Sequence, residues 1–122
     1  MDIINLLKNK KKIIRITNIG VNKVVEFENE TLLVIIENKK NVFKITKKDF
    51  QLIDDYLLPY AFLLVDTRTD EMFFMQVQEP NNFIRNAFDR TSKNEIFFGK
   101  EILQNRINKD KIVEKINRIG EV

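Results

Sequence analysis

Glu37 and Lys39 stand one residue apart at the end of an apolar run, Thr31 to Glu37 (TLLVIIE), in a chain with no histidine and no cysteine. That absence removes thiol nucleophiles, Cys/His zinc sites, Ser-His-Asp triads and imidazole bases. Chemistry must then come from carboxylates, Lys, Arg, Tyr, Ser/Thr or a borrowed metal. Side chains alternate along a strand, so Glu37 and Lys39 are expected on the same face of the chain. A carboxylate there can hold a divalent cation. The ammonium beside it can orient a water or steady charge developing on a phosphate. A second carboxylate from the neighbouring strand would complete the site. Glu26 and Glu28, eleven and nine residues earlier, are the candidates if a hairpin turns at Asn29. Hard oxygen ligands without His or Cys suit magnesium or manganese. The plainer reading makes Glu26 and Glu28 the solvent face of an edge hairpin, and Glu37 to Asn41 a polar turn that closes a hydrophobic strand.

The elements that would position these groups follow from periodicity. Asp2 to Lys8 reads as a short helix, and residues 11–17 as a strand with Ile14 and Ile16 on one face. A turn around Gly20 leads to a strand over 23–28. The continuous apolar run 31–37 predicts a strand buried on both faces. A short strand over 42–46 follows. Thr46 and Asp49 have capping-box spacing, and Phe50, Ile53 and Leu57 recur at helical period, predicting a helix over 47–57 that Pro59 stops. AFLLVD (61–66) and EMFFMQV (71–77) predict a hairpin across TRTD. Pro80 opens a helix carrying Phe83, Ile84, Ala87 and Phe88 inward. A short strand over 95–99 and two short helices complete the chain. The last helix has Ile112, Ile116 and Ile119 inward, Asn108 as cap and Gly120 as stop. This is a single domain, residues 1–122, of α+β or α/β class, with a mixed sheet of about five to six strands and helices packed on it.

The order α-β-β-β-α-β, with an acid-x-Lys tripeptide on the third strand, resembles the restriction-endonuclease-like superfamily of PD-(D/E)XK nucleases over residues 1–66. The resemblance implies a magnesium-dependent phosphodiesterase in which Glu37 and Lys39 match the motif's acid and lysine. Glu26 would take the place of the metal-binding Asp. Glu26, Glu37 and Lys39 are then the catalytic candidates, and Glu26 and Glu37 the metal ligands. No Pro-Asp pair precedes the hairpin, and the first helix offers only Asp2 as an acid. A relative that kept the fold and lost the metal site is the alternative within the same resemblance.

Charge is uneven along the chain. The net charge is +3, but residues 1–48 hold eleven Lys and Arg against five Asp and Glu, and residues 49–122 hold ten against thirteen. The positive charge gathers first at Lys8, Lys10, Lys11, Lys12 and Arg15, then at Lys39, Lys40, Lys44, Lys47 and Lys48. Such clusters attract polyanions, nucleic acid among them. Asp54, Asp55 and Asp70 read as surface acids, while Asp66 ends a buried strand and could approach a site there. The phenylalanines at 73, 74, 83, 88, 97 and 98 read as core, with strand 71–77 apolar enough on both faces to leave a ring exposed.

Three functions remain open at this point. One is a small magnesium nuclease, which would need a dimer to cut both strands. The second is a non-catalytic nucleic-acid-binding module. The third is a protein-interaction or inhibitor protein, of the kind small mobile elements encode, with a homodimer or protein partner through the Phe-rich second half. No run is long enough to cross a membrane as a helix, and a cytoplasmic location without membrane attachment is expected.

Overall fold

The computed structural model describes residues 3–40, 42–99 and 104–121. The helix α1 (Ile3–Lys10) leads into the strands β1 (Ile13–Ile19), β2 (Asn22–Phe27) and β3 (Leu32–Asn38). A short strand β4 (Lys44–Thr46) and the helix α2 (Lys47–Asp54) carry the chain over to β5 (Tyr60–Asp66), which turns back as β6 (Glu71–Gln76). Then come α3 (Phe83–Asp89), β7 (Glu95–Phe97), β8 (Arg106–Ile107), a 3₁₀ turn (Lys109–Lys111) and α4 (Ile112–Asn117).

The apolar runs decide the architecture. β5 is buried at every position and β3 along its first five, so the sheet must be covered on both faces. The order β1-β2-β3-β5-β6-β8 places these two strands at its centre. They are parallel to each other, which is why β4 and α2 must cross over between them, while every other pairing in this sheet is antiparallel. On one face Ile3 and Leu7 of α1 and Ile112 and Ile116 of α4 pack against Val25, Phe27, Leu33, Ile35 and Leu63. On the other, Phe50 and Ile53 of α2 and Ile84 and Phe88 of α3 pack against Val34, Ile36, Phe62, Leu64 and Phe73. A separate two-stranded ribbon of β4 and β7 covers the rest of that second face. The mixed α/β class and the six-stranded sheet agree with the sequence reading.

Local chemistry explains most boundaries. Thr46 caps α2 by accepting from the Asp49 amide at 3.1 Å. The Asp49 carboxylate does not return the favour to the cap. It reaches instead to Asn22 Nδ2 at 3.4 Å, beneath the Gly20 turn, where a β-carbon on Gly20 would lie 2.5 Å from its oxygen. α2 ends at Asp54, earlier than expected. Leu57 lies beyond it in the left-handed region (φ 57°) and 89% exposed, so it is not part of the inner stripe. α3 is capped by Asn82, whose side chain accepts from the amides of Ile84 and Arg85, and Pro80 precedes the helix rather than opening it. Where a helix was expected after residue 99, residues 106–107 form β8 against β6, and residues 100–103 lie outside the described set, as do Asp2 and Asn41. Ile112, Ile116 and Ile119 do point inward.

Two expectations about exposed apolar surface change. β6 has neighbours on both edges and cover on both faces, so Phe73 and Phe74 are buried. Phe88 is buried as well, and Phe97 is the one ring of the Phe-rich half that stands more than half exposed among the described residues. Two exposed apolar residues lie instead on β1, one of the sheet's outer strands, where Ile14 is 56% and Ile16 36% exposed. The register slips between Ile13 and Arg15, which leaves Ile14 as a bulge without a partner on β2.

Candidate functional site

The hairpin register separates Glu26 from Glu37. Glu26 pairs with Leu32, at the turn end of the hairpin. Glu37 lies five residues further along β3, roughly 17 Å away at the usual rise per residue. An odd number of steps also puts the two carboxylates on opposite faces of the sheet. Glu26 shares the face of Val24 and Leu32, under α2 and α3, whereas Glu37 shares that of Leu33 and Ile35, under α1 and α4. Glu28 lies beyond the end of β2, beside Lys12, with an ion pair of 3.6 Å. The expected convergence of Glu26, Glu37 and Lys39 is therefore corrected by the register of the hairpin itself.

The side chain nearest Glu37 that carries charge is a cation. Lys23 Nζ lies 4.0 Å from Glu37 Oε1, both about half exposed. Lys39, just past the end of β3, is exposed and makes no ion pair among the described residues. One carboxylate beside lysine ammonium groups is a poor divalent-cation site, because hard cations need several anionic or neutral oxygens and are repelled by a neighbouring positive charge. Among the described residues no three acidic side chains are grouped so that they could hold a metal ion. Glu26 and Glu37, as the hairpin places them, do not together fit magnesium. Asp66, which ends β5, is fully buried, accepts from the Arg68 amide at 2.9 Å and pairs with the Arg68 guanidinium at 3.4 Å, so it builds the turn to β6.

The basic residues divide into two groups at opposite ends of the sheet. Lys8, Lys11, Lys12 and Arg15 line one shallow groove beside β1, together with Ile13, Ile14 and Ile16. Lys11 lies over the Phe27 ring at 5.7 Å from its centroid and donates to Asn117 Oδ1 at 2.6 Å, which fixes one wall of the groove. Lys12 has Glu28 as its partner, and Lys8, Lys10 and Arg15 have no ion pair among the described residues. Lys39 and Lys40 stand at the other end, after β3. Lys47 and Lys48 open α2, exposed, and Lys44 is paired with Glu95 at 3.3 Å. The ten cations thus do not merge into one patch, and those before β2 form the compact set.

One polar constellation was not visible in the sequence. Arg85 of α3 donates to Glu79 Oε2 at 2.8 Å, to Glu79 Oε1 at 2.9 Å and to Asp54 Oδ1 at 2.7 Å. Asn82, buried, donates to Tyr60 Oη at 2.5 Å and to Glu79 Oε1 at 3.2 Å. Burial pushes the Tyr60 hydroxyl up to about 12, with the hydrogen bond from Asn82 working against it. The hydrogen bonds from Arg85 hold the Glu79 carboxyl below its usual range. These five residues are spread over four segments, and Asp54 reads from the sequence as a surface acid, so only the fold brings them together.

No family model matches this chain, and no curated protein or solved structure is found to match it. No described helix is long and apolar enough to cross a membrane.

Proposed function

We propose that this protein binds nucleic acid without cleaving it, taking the phosphodiester backbone along the groove beside β1. The observation that carries this reading is that Lys8, Lys11, Lys12 and Arg15 line one groove, and that among the described residues the one ion pair these cations make is that of Lys12 with Glu28. Phosphate contacts by Lys and Arg supply sequence-independent affinity that falls with salt in proportion to their number. The separation of Glu26 from Glu37, and Lys23 beside Glu37, support a binding role over hydrolysis.

A second reading is favoured by Ile14 and Ile16. Exposed aliphatic side chains on an outer strand, flanked by cations, also suit an extended acidic peptide that adds to the sheet edge. The two are separated by fluorescence anisotropy on a labelled 20-base-pair duplex, with an acidic peptide as competitor. Lys8→Gln with Arg15→Gln tests the groove, because neither residue has an ion pair among the described residues, and Lys93→Gln is the control. Weaker duplex binding in the double variant alone supports the first reading. Tight peptide binding with no duplex binding would replace it by the second.

A further inference from the structure

A cavity of about 400 Å³ opens where the end of α2, the start of β5, the segment after β6 and Gly120–Glu121 meet. Its walls are mainly apolar, from Leu57, Leu58, Pro59 and Val77, and the charged groups that line it are Asp54, Glu79, Arg85 and Glu121. A pocket of this size with a few polar groups at fixed positions is the usual form of a small-molecule site. The sign of the charge selects the ligand. Arg85 is the one cation among the described residues that line the cavity, and its guanidinium already holds both Glu79 oxygens and Asp54 Oδ1. Three of its five N–H donors are already taken by these carboxylates, whose two charges outweigh its one, so an incoming anion gains little here. Asp54 Oδ1 takes Arg85 and, at 3.4 Å, the Tyr60 hydroxyl, which leaves Oδ2 without a donor among the described residues. Asp54, Glu79 and Glu121 together outnumber Arg85, so the cavity keeps a negative balance.

We propose that this cavity binds a small organic cation, with its ammonium against Asp54 and Glu121 and its apolar body against Leu57, Pro59 and Val77. None of the groove residues beside β1 takes part, so either reading can fail without the other. The test is a titration of the full chain followed by amide NMR, using phenethylamine, phenethyl alcohol and phenylacetate as probes of equal shape and different charge. Phenethylamine is expected to shift the amides of Leu57, Tyr60, Val77 and Gly120 saturably and to bind about tenfold or more tightly than the alcohol. Phenylacetate is expected to leave those amides unmoved. Asp54→Asn should bring the amine down to the affinity of the alcohol. Should that variant disturb the Arg85 pairing, the wild type still decides, because added salt must weaken the amine and spare the alcohol. Equal binding of amine and alcohol, preferential binding of phenylacetate, or no saturable shift at these amides with phenethylamine in the millimolar range would each overturn the proposal.

Discussion

At Glu37 the residue type is right for metal chemistry and the neighbours are wrong. Its carboxylate faces Lys23 at 4.0 Å, and the second candidate acid, Glu26, lies on the other face of the sheet. Calorimetric titration with manganese should therefore give no saturable heat in the micromolar range, and Glu37→Ala should give the same trace as the wild type. Micromolar binding lost in the variant would restore a metal to this position. Tyr60 makes a second prediction at this scale. Its hydroxyl is held neutral in the folded chain well above the ordinary tyrosine value of 10.0, up to about 12, because it is buried. The unfolded chain then gives up its Tyr60 proton first as pH rises, so folding stability is full below pH 10 and falls between about pH 10 and 12. Urea unfolding at intervals across that window should show the decline, and Tyr60→Phe should flatten it.

Among the elements, those that came through clearly from the sequence are those whose side chains meet one environment along their whole length. TLLVIIE and AFLLVD are apolar at almost every position, and both are central strands. Phe50 and Ile53, or Ile112 and Ile116, mark helix faces by spacing alone. What periodicity did not convey is register. A hairpin turning near Asn29 pairs Lys23 with Ile35, so β2 runs out of residues before it reaches Glu37. The candidate acids were chosen by proximity in the chain, whereas the ladder decides both distance and face. Helix ends were hidden for a similar reason. Leu57 continues the apolar spacing of α2 but occupies the left-handed position that follows the helix, where its side chain is almost wholly solvent-exposed. Leu57→Gly should therefore stabilise the fold by about 1 kcal/mol, because glycine takes that conformation without the penalty a β-carbon brings and no burial is lost. Chemical denaturation of the two proteins checks the sign directly. β8 was missed because two residues are too few for any pattern, and the Tyr60–Asn82–Arg85 network because its members meet only after folding.

For the molecule as a whole, charge and shape tell the same story in part. The first 48 residues carry the positive excess, but folding divides those cations between the two ends of the sheet and sets Lys44 and Lys12 in exposed ion pairs with Glu95 and Glu28, which contribute little and leave Lys12 open to phosphate. What remains concentrated is the groove beside β1, on an outer strand whose bulge and cations also discourage pairing with another copy of the same edge. The acidic excess of the second half is partly drawn around the cavity at Asp54, Glu79 and Glu121. Binding to the phosphate backbone through the groove makes one quantitative demand. Each phosphate contact to duplex DNA contributes about −0.9 to the slope of log affinity against log salt, so the four groove cations give a slope near −3.6. The decisive measurement is that slope for a labelled duplex between 50 and 300 mM salt, with a chelator present to remove divalent ions, for the wild type and for Lys8→Gln with Arg15→Gln. A slope between about −3 and −4 that becomes shallower by about 1.8 in the double variant, with no dependence on the chelator, is the predicted result. No binding at 50 mM salt, or a slope that the double variant leaves unchanged, would contradict it.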